Sequence, residues 1–337
     1  MRSIGKIKNI SKKTTLRNVT INCIDEANEG QRVDNYLIRQ LKKVPKSYIY
    51  RLVRSGQVRV NSKRINVSYK LQLNDTIRIP PIRIEDKSFS DLKCISKSRL
   101  IPLEILFQDD ALLIINKPAG MAVHGGSGIS LGVIEQLRAQ YPDWKFLELV
   151  HRLDRETSGV LLLAKKRKAL IELHRQIREG LVEKRYYALI KGKWTNIRQN
   201  VKLLLNKYMT ADGERRVAVV NTKQADKAID SHTIFTLKKT WGDFSLVEAE
   251  LKTGRTHQIR VHLAHLGFPI AGDDKYGDFA LNKRLAKKQQ ETVLSRMFLH
   301  AFKTVIKHPI TGELLSIEAP LTKDLQVFIN KLDDRLT

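Results

Sequence analysis

His151–Ala164 reads HRLDRETSGVLLLA: a loop with four charged side chains and a histidine, set directly ahead of an apolar run, Val160–Ala164. Five consecutive apolar residues bounded by Gly159 and a basic stretch predict a buried strand. An acid at the edge of a sheet is often functional because loops carry chemistry on a rigid scaffold. Taken alone, Asp154 between Arg152 and Arg155 is an ordinary turn acid or surface ion pair. Working outward, Ala111–Asn116 is a second apolar run, stopped by Lys117, Pro118, Ala119 and Gly120, which predicts another buried strand and a tight turn. After the decisive stretch, Leu170, Leu173 and Ile177 recur at helical spacing as an inward face, and Tyr186–Ile190 reads as a strand. Strands dominate thereafter, with few crossover helices. The pattern predicts an α+β domain on a mainly antiparallel, mixed sheet flanked by helices, with no internal repeat.

The chain has 337 residues, 42% of them apolar, enough for two domains with separate cores. Lys and Arg number 61 against 35 Asp and Glu, a formal charge of +26, which points to a polyanionic partner. Residues 1–85 hold 19 basic and 6 acidic side chains, so half of that excess, +13, sits on a quarter of the chain. A solubilising surface is the bland reading; a dedicated phosphate-binding module is the sharper one. Residues 1–24 contain Arg2, Lys6, Lys8, Lys12, Lys13 and Arg17 and no acid before Asp25, and are expected to form a basic RNA-binding arm over 1–30. An organellar transit peptide would have a similar composition, whereas no apolar block is long enough for a secretory signal. Cys23 and Cys94 form no CxxC pair, so neither a disulfide framework nor a zinc site is suggested, and a reducing cytoplasm fits. No stretch approaches the length of a membrane span.

From Gln31 the pattern reads helix, turn, helix, short strands. Val33, Leu37 and Leu41 share a helical face; Pro45 opens a second helix with Ile49, Leu52 and Val53 inward, and Gly56 suits its stop. Lys46, Arg51 and Arg54 occupy the other side of that helix, and Arg59, Lys63 and Arg64 follow in a hairpin, so six cations line one candidate RNA-binding surface. This run, RVDNYLIRQLKKVPKSYIYRLVRSGQVRVNSKRIN from Arg32 to Asn66, resembles the S4 RNA-binding domain. The resemblance implies binding to structured RNA by shape and backbone, and no chemistry. The expected boundaries are 31–84 for this domain, 85–100 for a linker and 101–335 for a catalytic domain.

Several chemistries lose support from missing motifs: no GxxxxGK[ST] loop, no GxGxxG after a strand, no HExxH and no GxSxG. His257, His262 and His265 form HxxxxHxxH, but without neighbouring Cys or acid partners they read as helix packing and RNA contact, and no metal site is expected.

Residues 31–330 resemble the RluA-type pseudouridine synthases, most closely the RluC branch, which acts on large-subunit ribosomal RNA. The resemblance rests on HRLDRETSG, INKPAGMAVHGGSG from Ile115, EKRYYALIKG from Glu183, TGRTHQIRVHLAHLGFPIAGDDKYGD from Thr253 and LHAFKTVIKHPITGE from Leu299. It implies that Asp154 is the catalytic carboxylate, Tyr186 the aromatic that contacts uracil, Arg255 the cation paired with Asp154, and Arg152 the side chain that takes the place of an extruded base. Tyr187 is the rival of Tyr186, and in a strand only one of the two can face the pocket.

Isomerisation of uridine to pseudouridine gains and loses nothing overall, so the resemblance implies no cofactor. It does need an ionised carboxylate in a poorly solvated pocket, where burial alone favours the neutral acid and a guanidinium favours the charged one. Glu156 stands close on the same loop and is read as a structural acid. Asp154 could attack the ribose C1′, add to the uracil ring, or act as a base through a glycal; all three routes use the same residue. Extruding a uridine costs a few kcal/mol, part of which stacking on Tyr186 would recover. The expectation is therefore a cytoplasmic, monomeric enzyme whose partner is large-subunit ribosomal RNA, with no membrane and no nucleotide cofactor. A ribosome-assembly factor that binds through the S4-like module without catalysis is the alternative. A methyltransferase lacks its cofactor loop, and an RluD-like or RluA-like target stays open.

Overall fold

The computed structural model describes residues 18–41, 44–82, 101–125, 131–211, 213–221, 228–287 and 293–334. The chain divides into two compact units, Met1–Leu100 and Ile101–Thr337. Most of the expected arm (residues 1–17) and the whole of the expected linker, 85–100, lie outside the described residues.

In the first unit, α1 (Val33–Gln40) and α2 (Lys46–Arg54) precede the short strands β2 (Arg59–Val60), β3 (Lys63–Arg64) and β4 (Thr76–Ile79). Ile49, Leu52 and Val53 are buried on α2 as their spacing predicts, with Leu37 and Val33 of α1 in the same core. Pro45 sits at the N-cap of α2, where its missing N–H costs nothing. Gly56 stops that helix at φ +71, and an added Cβ there would meet Arg64 Nε at 2.5 Å. One difference from expectation concerns the arm: Thr20–Cys23 forms β1, paired antiparallel with β4 in a sheet of order β1-β4-β2-β3. The basic excess of residues 1–24 hides a strand, TINC, that alternates half-buried and exposed positions.

The second unit is one sheet of eleven strands among the described residues. Its elements are β5 (Glu104–Gln108), β6 (Leu112–Lys117), α3 (Val133–Gln140), β7 (Glu148–Leu149), β8 (Ser158–Ala164), α4 (Arg167–Arg178) and β9 (Glu183–Lys191). They continue as β10 (Arg198–Met209), β11 (Arg215–Val220), β12 (Ile229–Trp241), β13 (Phe244–Leu251), α5 (Gln258–His265), α6 (Phe279–Leu285), β14 (Leu299–Lys307), β15 (Leu314–Glu318) and α7 (Lys323–Asp334). The path is β11-β10-β12-β13-β9-β14-β8-β6-β5, with β15 on β14 and β7 on β8. Every pairing is antiparallel except β14 with β8, so the fold is α+β on a mixed sheet as expected.

β6 and β8 are buried at every position, which is why both read as continuous apolar runs rather than alternating ones. The parallel seam pairs His300 with Ser158 and Ala301 with Gly159. It is tight: Gly159 has φ +112, and a Cβ there would stand 2.2 Å from the Ala301 carbonyl oxygen. On α4 the buried stripe is Ala169, Leu173 and Gln176, at helical spacing, while Leu170 and Ile177 are half-buried. Gln176 replaces the expected apolar residue because its amide pairs with both backbone groups of Lys307, at 2.9 and 3.1 Å. A buried amide with both functions bonded is tolerated where an unpaired one would be costly.

Candidate active site

The loop between β7 and β8 is anchored from within. Leu153 is buried in the main core, which leaves Arg152 and Asp154 on the opposite side of the extended chain. The Thr157 N–H donates to the Asp154 carbonyl at 3.1 Å, closing the turn. From the neighbouring strand, the Lys117 ammonium reaches across, donating to the carbonyls of Pro118 (2.7 Å), Met121 (3.0 Å) and Arg155 (3.1 Å). Its three donors are thus spent on tying the turn after β6 to the Asp154 loop, and its full burial pulls its pKa down to about 7. Arg155 adds a bond from Nε to the Gly120 carbonyl at 3.0 Å. Glu156 pairs with Arg155 at 3.4 Å.

A cleft of about 600 Å³ opens beside this loop, lined by Arg152, Asp154, Tyr186, Arg255, His257 and Arg260 among others. Asp154 is about one-fifth exposed at its floor. Tyr186 of β9 is buried, and its phenol pKa is raised, first by burial and then by the Asp154 charge. Tyr187 turns to the other face of the sheet, where its ring stacks on Phe302 with centroids 3.8 Å apart. The alternation of the strand therefore selects Tyr186 for the cleft.

The cation expected beside Asp154 is a different residue from the one inferred. Arg255 is exposed, and its Nε donates to the Asp230 carbonyl at 3.1 Å, at the edge of β12. Its backbone N–H is captured by the Gln258 side chain at 3.0 Å, and Gln258 is itself pinned to His232 and Thr233. That clamp fixes the loop so that Arg255 emerges at the rim. Arg260, in the first turn of α5, is the guanidinium beside the carboxylate: its Nη1 lies 3.4 Å from Asp154 Oδ2.

Arg260 is 3% exposed and held by a fork, Nε to Asp273 Oδ2 at 2.8 Å and Nη2 to Asp273 Oδ1 at 2.6 Å, with Asp274 at 3.0 Å. Asp273 is fully buried and also accepts the backbone N–H groups of Lys275 and Tyr276. Desolvation lowers the Arg260 pKa, but its hydrogen bonds and the charges of Asp273, Asp154 and Asp274 carry it above the ordinary guanidinium value. The Tyr276 ring lies beneath the guanidinium, 5.2 Å from ring centroid to Cζ. Sequence reasoning missed Arg260, Asp273, His257, Tyr276 and Lys117. All but Lys117 lie in the single stretch from Thr253 to Asp278, and the presence of two arginines and two adjacent acids there was the available signal.

His262 is fully buried on α5 and bonds Ser231 Oγ at 2.7 Å, whereas His265 is exposed. The HxxxxHxxH spacing thus sends its three histidines to different environments. The six cations of the first unit are all exposed, and Arg59 and Arg64 stand directly opposite one another across β2 and β3. Among the described residues no helix is long and apolar enough to cross a membrane.

Comparison with known proteins gives a consistent result. Residues 111–265 match the RNA pseudouridylate synthase family, and residues 31–77 match the S4 domain. The chain is 48% identical over 313 residues to the ribosomal large subunit pseudouridine synthase C of Pasteurella multocida, covering 93% of each chain. It is 47% identical over 321 residues to the protein of that name from Escherichia coli K12, covering 95% of this chain and 98% of that one. Among solved structures, human RNA pseudouridylate synthase domain containing 4 is similar, with 27% identity and a TM-score of 0.56 over 68% of this chain and 93% of that one. Human RNA pseudouridylate synthase domain containing 1 aligns at 25% identity and a TM-score of 0.54 over 69% and 95%.

Proposed function

We propose, proceeding from the fact that this chain belongs to the RNA pseudouridylate synthase family together with the ribosomal large subunit pseudouridine synthases C, that it isomerises specific uridines of large-subunit ribosomal RNA to pseudouridine. The observation that supports this above all is one juxtaposition: a carboxylate, Asp154, at the floor of a cleft, 3.4 Å from the buried guanidinium of Arg260, in a cleft also lined by Tyr186. In the net reaction the N1–C1′ bond of uridine breaks, a C5–C1′ bond forms, C5 loses a proton and N1 takes one up. No electrons enter or leave.

Asp154 serves as the reacting carboxylate. Arg260, itself nearly fully buried, stabilises the charge of this partly buried carboxylate, where such an interaction counts for more than between fully exposed groups. Tyr186 stacks on the extruded uracil, and Arg152, exposed at the cleft mouth, fills the gap left in the RNA. Arg255, at the rim, contacts the RNA backbone rather than Asp154.

The S4 unit supplies affinity. Like charges directly opposite on a two-stranded ribbon are unfavourable by themselves, and the Arg59–Arg64 pair becomes favourable once a phosphate lies between or above them. Lys46, Arg51, Arg54 and Lys63 extend that surface. The enzyme acts as a monomer in the cytoplasm, where its RNA is.

The test is a pseudouridine map of large-subunit ribosomal RNA, by carbodiimide adducts and reverse transcription, from cells whose only copy carries Asp154→Asn. Loss of at least one modified position is expected; a map identical to the wild type ends the proposal.

A further inference from the structure

One residue of the cleft, His257, has no part in the roles above, and it is joined to a tyrosine outside the cleft lining. Tyr276 Oη accepts the backbone N–H of Val217 on β11 at 2.9 Å and lies 2.9 Å from His257 Nδ1. Burial is the main cause that raises the Tyr276 pKa, so the phenol keeps its proton at neutral pH. One side of Oη is occupied by the incoming Val217 donor, and among the described residues the acceptor in reach of the phenol proton is His257 Nδ1. A neutral imidazole that accepts at Nδ1 carries its hydrogen on Nε2. The opposite tautomer would aim two donors at Oη and leave the phenol proton without a partner, an arrangement that buried polar groups avoid.

His257 is also kept neutral. Burial is the leading cause that lowers its pKa, and Arg260 and Lys275 act in the same direction, against Asp154 and Asp273. Its backbone adopts φ +53, a left-handed conformation that residues with a Cβ rarely take and that persists where surroundings enforce it. Its Nε2 stands 3.8 Å from Asp154 Oδ2, beside the Arg260 guanidinium.

We propose that His257 is a positioning residue of the reaction, held as its Nε2–H tautomer by the Val217–Tyr276 hydrogen-bond chain so that this N–H steadies the Asp154 carboxylate. The inference rests on the reading of Asp154 as the reacting group. A gap of 3.8 Å is too long for a hydrogen bond, and catalytic hydrogen bonds commonly tighten once substrate is bound. The chain also begins outside the cleft. Val217 sits on the β10–β11 hairpin, where Lys207, Tyr208 and Met209 are exposed. The same hairpin is fastened to the 273–276 loop by Arg216 Nη1 to the Lys275 carbonyl at 3.2 Å and by the Glu214–Lys275 ion pair.

The experiment uses full-length protein labelled with 15N-histidine, with His257 assigned by its disappearance in His257→Asn; asparagine tolerates left-handed backbone. Two-bond 15N–1H correlation at neutral pH is expected to show the Nε2–H tautomer in the wild type and a mixture in Tyr276→Phe, which keeps the ring beneath Arg260. Single-turnover tritium release from in vitro transcribed large-subunit RNA labelled at uridine C5 is expected to slow roughly 5- to 20-fold in Tyr276→Phe and about 10- to 100-fold in His257→Asn, with RNA Kd within about twofold. An Nδ1–H or doubly protonated His257 in the wild type, or an unchanged tautomer in Tyr276→Phe, overturns the proposal. So do two variants of wild-type rate beside an inactive Asp154→Asn. Full activity of Asp154→Asn would instead remove the underlying reading and this one with it.

Discussion

Replacing Arg260 by lysine keeps the charge and removes the fork. Arg260 spans two carboxylates, gripping Asp273 at 2.6 and 2.8 Å with two nitrogens while a third stands 3.4 Å from Asp154. A lysine ammonium that satisfies fully buried Asp273 retreats roughly 3 Å from Asp154, since it is a single point of charge. With an effective dielectric of about 20, the attraction to Asp154 falls from about 5 to about 2.6 kcal/mol, so the rate should fall by up to roughly 50-fold, the limit reached if all of the lost attraction of about 2.4 kcal/mol acts in the transition state. Because Asp273 stays paired, the variant should fold, which near-ultraviolet circular dichroism can verify. The assay is single-turnover release of tritium from C5-labelled RNA with enzyme in excess, beside Arg255→Lys. Arg255 bonds a backbone carbonyl, not Asp154, so its variant should stay within about threefold for this step. Refutation would be the reverse order: Arg255→Lys slower by tenfold or more, and Arg260→Lys near the wild type.

Three further outcomes follow from the same geometry. Lys46, Arg51 and Arg54 changed together to Ala should lower the slope of log affinity against log salt by roughly 2 to 3, measured by filter binding, while tritium release at saturating enzyme is unchanged; all three are exposed. Gly159→Ala forces a Cβ to 2.2 Å from the Ala301 oxygen at φ +112, and strain plus overpacking should cost about 3 kcal/mol or more, a fall of roughly 6–12 °C in Tm by calorimetry. Lys117 has its folded pKa lowered from 10.5 to about 7, so between those values the unfolded chain binds the extra proton and stability rises with pH. The urea-derived stability of the wild type minus that of Lys117→Met should climb from pH 7 towards 10 by at most about 1.4 kcal/mol per unit; a flat difference would mean that the lysine does not titrate in that window.

What the sequence made legible was whatever depends on local pattern. β6 and β8 were readable because strands buried on both faces write unbroken apolar runs, and α2 because Ile49, Leu52 and Val53 keep helical spacing. Strand alternation said that only one of Tyr186 and Tyr187 can face the cleft, and the choice of Tyr186 came from the family resemblance, since the rule by itself does not say which face holds the cleft. β1 was hidden by the basic composition around it. Arg260 was illegible because its position depends on three non-local facts: the Gln258 clamp that sends Arg255 to the rim, the left-handed turn at His257, and buried Asp273, which draws the guanidinium inward. No spacing within TGRTHQIR distinguishes the arginine that meets the carboxylate from the one that does not.

The parallel seam between β8 and β14 joins Ser158 and Gly159 to His300 and Ala301, partners more than 140 positions downstream. The floor beneath the Asp154 loop is therefore finished by a stretch synthesised long after the loop itself. A chain cut before β14 holds the aspartate but not the strand that backs it, so the catalytic loop and its support are made far apart in time and meet only once both strands exist.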